Sequence, residues 1–261
     1  MAETGERPAF FTERNGEFVP FPIARSPWAR NMLHGRLIGG LAARAVEREH
    51  AAEGLTPARV TVDLFRNAPL TPLRVTSRRV RDGRRIRLVD VEIANDDGVI
   101  GRVSIVLLRT SAHPPGEVWI EPPAPLPPPT GLFDPSGPVG GWQPSFALWW
   151  PPTGPDDRRA AWLRETYALV AGEPLTPLIR VAMAADFASP LSHSGSQGLQ
   201  FINADYTLTL ARTPRGEAIG LEATGQLGAD GVASGLCVVH DEYGPIGHCL
   251  VTAIANPRLG G

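Results

Sequence analysis

Between Ala112 and Pro138 the chain carries Pro114-Pro115, Pro122-Pro123 and the run Pro125-Leu126-Pro127-Pro128-Pro129. No central strand or helix interior passes through such a stretch, because proline fixes φ and lacks the N–H that a ladder or a helical turn needs. The segment favours extended polyproline conformation and acts as a semi-rigid spacer. It divides the 261 residues into a first unit at 1–111, a linker at 112–140 and a second unit at 141–261.

The two units repeat one order of elements. In the first, Leu37, Ile38, Leu41, Ala45 and Val46 recur at helical spacing and predict a helix from Gly35 to about Ala52, closed by Gly54. Gly39 and Gly40 lie inside it, where each costs up to ~1 kcal/mol against alanine, so another backbone is expected to pass close by. Strand-like runs follow at Arg59–Arg66, Leu73–Val80, Arg85–Ile93 and Val99–Leu108, the last three joined by turns at Asp82-Gly83 and Asp97-Gly98. Phe18 to Phe21 offers a short strand ahead of the helix.

The second unit has extended runs at Phe146–Pro151 and Ala160–Leu169, then Thr176-Pro177, an N-cap with proline at the first helical position. That helix is expected to run to about Phe187. Strands follow at Ala204–Ala211, Ala218–Leu227, Val232–His240 and Ile246–Ala255, with turns at Asp230-Gly231 and Tyr243-Gly244. Two copies of one α+β unit are the economical reading.

Composition narrows the chemistry. All 25 basic residues are arginine, which excludes Schiff-base lysines, P-loop lysines and lysine bases. A net charge of −2 argues against a nucleic-acid partner. No apolar run reaches the ~20 residues of a membrane span, and the polar, acidic start does not read as a secretory signal. A cytoplasmic protein is expected. Its two cysteines, Cys237 and Cys249, flank the Tyr243-Gly244 turn and read as buried free thiols on neighbouring strands. The six scattered histidines form no H-x-x-x-H pair, so neither a metal site nor a cofactor is expected.

A helix wrapped by one curved antiparallel sheet is the hotdog fold. Pro27-Trp28 followed by His34-Gly35-Arg36-Leu37-Ile38-Gly39-Gly40-Leu41-Ala42-Ala43-Arg44 resembles the first hotdog helix of the acyl-CoA thioesterase-like proteins, tandem relatives of the bacterial type II acyl-CoA thioesterases. Val60-Thr61-Val62-Asp63-Leu64-Phe65-Arg66, Ala184-Ala185-Asp186-Phe187 and Phe201-Ile202-Asn203-Ala204-Asp205 resemble further segments of that family. The resemblance implies an α+β double hotdog. Its two sheets are expected to pair into one layer, with helices outward on either side. It further implies acyl-CoA as substrate and a homo-oligomer.

The family uses an aspartate at the end of the second-unit helix, a hydroxyl or amide residue on the next strand, and a glutamine on the last strand. Asp186 matches the first position and Asn203 the second. Val251 stands at the third, with Thr252 as the nearest polar neighbour. Asp186 also stands out by itself, because it shares a helical stripe with Leu175, Ile179 and Ala182 and sits at a helix C-terminus, where the macrodipole disfavours an anion. Burial would raise its pKa as well. Alternatively it turns away and accepts the amides of Ala188 and Ser189.

The amides of Gly35 and Arg36, beside His34, could polarise a thioester carbonyl. Phe65, Trp149-Trp150 and Phe187 are acyl-pocket or core aromatics. Arg78, Arg79, Arg81, Arg84 and Arg85 surround one hairpin turn and suit coenzyme A phosphates or plain solvent.

Two functions follow. One is thioester hydrolysis with Asp186 as base. The other is a non-catalytic acyl- or lipid-binding role, for which Val251 is the supporting feature. A serine hydrolase is disfavoured because Ser194-Gly195-Ser196-Gln197-Gly198 lacks the first glycine of a nucleophile elbow. A hotdog hydratase is disfavoured by the spacing of Asp186 and His193.

Overall fold

The glycine turns close their hairpins as the sequence requires. Asp230 and Gly231 both adopt positive φ, 52° and 78°, the geometry whose twist matches a two-residue hairpin. This computed structural model describes residues 8–27, 29, 31–128, 146–149 and 158–256. The first half contributes β1 (Ala9–Arg14), β2 (Glu17–Pro20), α1 (Arg36–His50), β3 (Leu55–Leu64), β4 (Arg74–Asp82), β5 (Ile86–Asn95) and β6 (Gly98–Arg109). The second contributes β7 (Phe146–Trp149), β8 (Arg159–Glu165), β9 (Ala168–Val170), α2 (Pro177–Ala185) and α3 (Ala188–His193). After these come a small hairpin, β10 (Ser194–Gly195) and β11 (Gly198–Leu199), and then β12 (Phe201–Leu210), β13 (Ala218–Ala229), β14 (Val232–Asp241) and β15 (Gly244–Ala255).

Ten strands make one sheet in the order β4-β5-β6-β3-β12-β15-β14-β13-β8-β7. The four strands of the first half meet the six of the second in the antiparallel pairing of β3 with β12, where Thr61 lies opposite Thr207 and their hydroxyls bond at 3.2 Å. The pairing of both units into a single layer is as expected. The helices are not outward on either side. Val60, Val62, Tyr206 and Leu208 are fully buried on one face of the two central strands. Both helices cover that face and pack on each other, since each has an apolar stripe that only this shared concavity can bury.

Gly39 and Gly40 are where the helices touch. A Cβ on Gly39 would overlap the Tyr206 hydroxyl and stand 3.2 Å from the Ala182 carbonyl oxygen; one on Gly40 would meet Met183 Cγ at 2.8 Å. The Tyr206 hydroxyl donates to that Ala182 carbonyl at 2.7 Å, pinning α2 to the sheet. The buried core runs through both halves as one cluster.

Three further sequence expectations need adjustment. The run expected as one strand at Ala160–Leu169 is two, because β9 turns away to pair in parallel with β1, Ala9 opposite Ala168 and Phe11 opposite Val170. The N-terminal strand thus belongs partly to the second half. The second-unit helix stops at Ala185 rather than Phe187, with Asp186 as its C-cap. The proline-rich segment is docked where it is described: Leu126 is buried with Ala160, Trp162 and Ala218, and Arg158 donates to the carbonyls of Ala124 and Pro125 at 3.2 and 3.0 Å. Cys237 and Cys249 are free, buried and directly opposite each other on β14 and β15. Among the described residues, no helix is long and apolar enough to cross a membrane.

Candidate functional site

The site forms where the end of α2 meets the start of α1. Thr176 caps α2 by accepting the Ile179 amide at 3.1 Å, with Pro177 at the first helical position. The helix then runs straight to Asp186 at its other end. An anion there opposes the dipole of α2, but it faces the first turn of α1 from the other half, whose amides favour negative charge. The Arg36 backbone N–H donates to the Asp186 carboxylate, and a Cβ on Gly35 would lie 3.7 Å from Asp186 Oδ1. The cost flagged by one helix is offset by the other.

Asn203 Nδ2 donates to Asp186 Oδ1 at 2.9 Å. A register shift between Asn203 and Asp205 turns Asn203 toward the helices at this point of β12. His34 Nδ1 stands 3.7 Å from the other oxygen, Oδ2. The carboxylate does not turn back on its own chain; the Ser189 amide bonds the Asp186 backbone carbonyl instead, at 3.3 Å.

Burial raises the Asp186 pKa, against the lowering effects of the Asn203 hydrogen bond and the Arg36 charge. Desolvation, helped by the positive charge of Arg36, lowers His34 to about 3. His34 is therefore a neutral imidazole at ordinary pH, and the contact with Asp186 is not an ion pair. The arrangement is a desolvated carboxylate of enhanced basicity, oriented by an amide, beside a neutral imidazole and a helix N-terminus.

Two cavities meet at this carboxylate. One, of about 200 Å³, is lined by Phe146, Leu163, Met183, Phe187, Pro190 and Phe201 among others, with His34, Arg36, Asp186 and Asn203 in its wall. The second, of about 230 Å³, reaches from His34, Gly35, Asp186 and Asn203 toward Arg66 and Asn67. The first is an apolar chamber and the second a more polar one.

The structure brings Asp186, Asn203, His34, Gly35, Arg36 and Phe187 together. It does not bring the rest. Thr252 lies opposite Asp205 and is consumed by it, donating through its amide at 3.0 Å and its hydroxyl at 2.7 Å. Strand alternation puts Thr252 on the face away from Val251, which is fully buried. Ala253 stands directly opposite Asn203. Neither inward residue of β15 here carries a polar group. Phe65 is 56% exposed and lines neither cavity. The Trp149 side chain and all of Trp150 lie outside the described residues, as does Trp28.

Arg78, Arg79, Arg81, Arg84 and Arg85 also line neither cavity. They sit by the other end of α1, where Arg79 donates to His50 at 3.1 Å and also pairs with Asp82. The 15 residues of α1 span about 22 Å, a full helix length from Asp186.

Glu165 was missed from sequence. Arg36 is held bidentately by Glu165 of β8, at 2.5 and 2.9 Å, and lies over the rings of Phe10 and Phe146. The available signal was Arg36 itself: a cation in the first turn of a helix opposes the dipole and needs a carboxylate nearby.

The sequence matches the acyl-CoA thioesterase N-terminal domain over residues 24–108 and the acyl-CoA thioesterase C-terminal domain over residues 121–254. No curated protein matches it. Among solved structures it is similar to the tesB protein of Mycobacterium avium subs paratuberculosis, at 17% identity and TM-score 0.66 over 94% of this chain and 95% of that one. The acyl-CoA thioesterase II TesB2 of Mycobacterium marinum is similar at 16% identity and TM-score 0.60, over 85% and 90%. A hot dog fold protein of unknown function from Alicyclobacillus acidocaldarius gives 14% identity and TM-score 0.66, over 94% and 95%. These likenesses establish the double hotdog, and the two matched domains, which together span most of the chain, show that it belongs to the acyl-CoA thioesterase family of thioester hydrolases.

Proposed function

We propose that this chain hydrolyses a fatty acyl-CoA thioester with Asp186 as general base. The observation that carries the reading is the junction itself: a buried carboxylate of raised pKa, oriented by Asn203 and opening on two cavities of different polarity. The acyl chain occupies the apolar chamber beside Phe146 and Phe187. The pantetheine arm leaves past Gly35 and Arg66. Asp186 takes a proton from a water that attacks the thioester carbonyl carbon, and the Gly35 amide stabilises the oxyanion that forms. Collapse breaks the C–S bond, and the proton returns from Asp186 to the departing thiolate, giving acid and free thiol. Asn203 acts on the carboxylate rather than only on the water. Arg36 supplies its amide to Asp186, so the carbonyl is left to Gly35.

The rival, an acyl-binding protein without turnover, draws on the apolar Val251 and Ala253 where a third polar group is expected. Free-thiol release across acyl-CoAs of increasing chain length, beside Asp186→Asn, separates them. Turnover lost in a folded Asp186→Asn protein supports hydrolysis. Thermal stabilisation by acyl-CoA without thiol release supports binding.

A further inference from the structure

The Arg36–Glu165 pair joins the two halves directly behind the site. Both side chains are only 3% exposed, and their two hydrogen bonds are the fork-to-fork geometry that fixes a guanidinium in one place. The guanidinium carbon also lies over the rings of Phe10 and Phe146, 5.2 and 4.6 Å from their centroids. Arg36 and Asp186 share the wall of the apolar cavity, so an arginine released from Glu165 has a second carboxylate within the same chamber.

We propose that Glu165 is a positioning residue for catalysis: by neutralising and tethering Arg36 from the opposite half of the chain, it keeps the guanidinium from capturing the Asp186 carboxylate. The charge of Arg36 already acts on Asp186 from its tethered position. Among the described residues, the other titratable groups facing Asp186 are His34 at the start of α1, Tyr206 on β12 and Cys249 on β15. His34 is held neutral by burial, and burial pushes Tyr206 and Cys249 up, so these two stay protonated. Arg36 is therefore the cation of this set, and Glu165 governs where its charge falls. A guanidinium moved onto Asp186 makes the carboxylate a weaker base and occupies the place of the attacking water.

This proposal rests on Asp186 being the base. The test is the pH profile of thiol release in Glu165→Gln and in the double variant Arg36→Met/Glu165→Met, which retains the amide of residue 36. In Glu165→Gln the turnover number falls at least about tenfold, and the acid limb moves down by about one pH unit, the direction a nearby cation imposes on a carboxylate. In the double variant the acid limb moves back up, to the parental position or above it, because the cation that lowers Asp186 is gone, and most of the loss is recovered. An unshifted profile in a folded Glu165→Gln protein overturns the proposal, as does an equal loss in the double variant. If Glu165→Gln does not fold, the double variant is read alone: thiol release with an acid limb at or above the parental one supports the proposal, and lost release or a lowered limb overturns it. Full turnover in Asp186→Asn is a different result, which ends the reading of the base itself.

Discussion

At one end of the α1–α2 pair, the Asp186 carboxylate meets the first turn of α1. At the other, the Glu47 carboxylate of α1 meets the first turn of α2 and accepts the Thr176 hydroxyl at 2.6 Å. Burial raises both pKa values. The strands beneath are matched as well, with a register shift between Pro57 and Arg59 in β3 and another between Asn203 and Asp205 in β12. With Thr61 and Thr207 facing each other at the middle, Pro57 stands where Asn203 stands. Proline has no side-chain donor, so nothing on β3 orients Glu47 as Asn203 orients Asp186. The Glu47 end is also bound by Arg44, which bridges Glu173 and Glu13. One end of the pair is tied shut by hydrogen bonds and the other opens on cavities. The two carboxylates are equivalently placed, and they differ in the strand residue beneath them and in the space around them.

The comparison breaks most sharply at the two carboxylates. Asp186→Asn is expected to lower the turnover number by ~10²–10⁴, the usual span of general-base loss, while Glu47→Gln leaves thiol release unchanged. The acid limb of the parent profile should lie above the ordinary carboxylate range, because only ionised Asp186 accepts the proton and burial raises its pKa. Stability carries the same sign. The folded state holds this proton more tightly than the unfolded chain, so the burial cost sets in as pH rises through the raised pKa. Above that pH, Asp186→Asn should melt at a higher temperature than the parent while being inactive.

Asn203→Ala should cost about tenfold in turnover, from loss of a hydrogen bond to a charged group, whereas Pro57→Ala should not alter it. Gly39→Ala should destabilise by ~1–3 kcal/mol in denaturant unfolding, through overpacking against Tyr206 and Ala182. Thr176→Val should cost ~1 kcal/mol through the lost cap, with activity intact. Turnover that falls with Glu47→Gln would mean that the second junction is also in use.

The repeated helix-and-meander order, the glycine turns and the close approach at Gly39-Gly40 were legible because each rests on local periodicity or local backbone demands. Asp186 was legible because its place at a helix end, on an apolar stripe, is a local contradiction. What the chain's sequence hides is what depends on the partner half. The dipole of α1 that relieves Asp186, the Glu165 carboxylate that holds Arg36 and the strand β1 that pairs with β9 are all set by tertiary contacts between distant residues. The same holds for Thr252, whose side-chain direction follows from the β12–β15 register and not from its distance along the chain to Val251.

The central β3–β12 seam, with a core continuous across it, has a consequence for how the protein meets dilution. Two separate hotdog units sharing this seam would assemble only above their dissociation constant, and each loss of partner would dismantle a site built from both. A single peptide makes that encounter intramolecular, at an effective concentration set by the tether and reaching millimolar for a short one. The contact between the two halves therefore does not come apart on dilution as a two-chain version would.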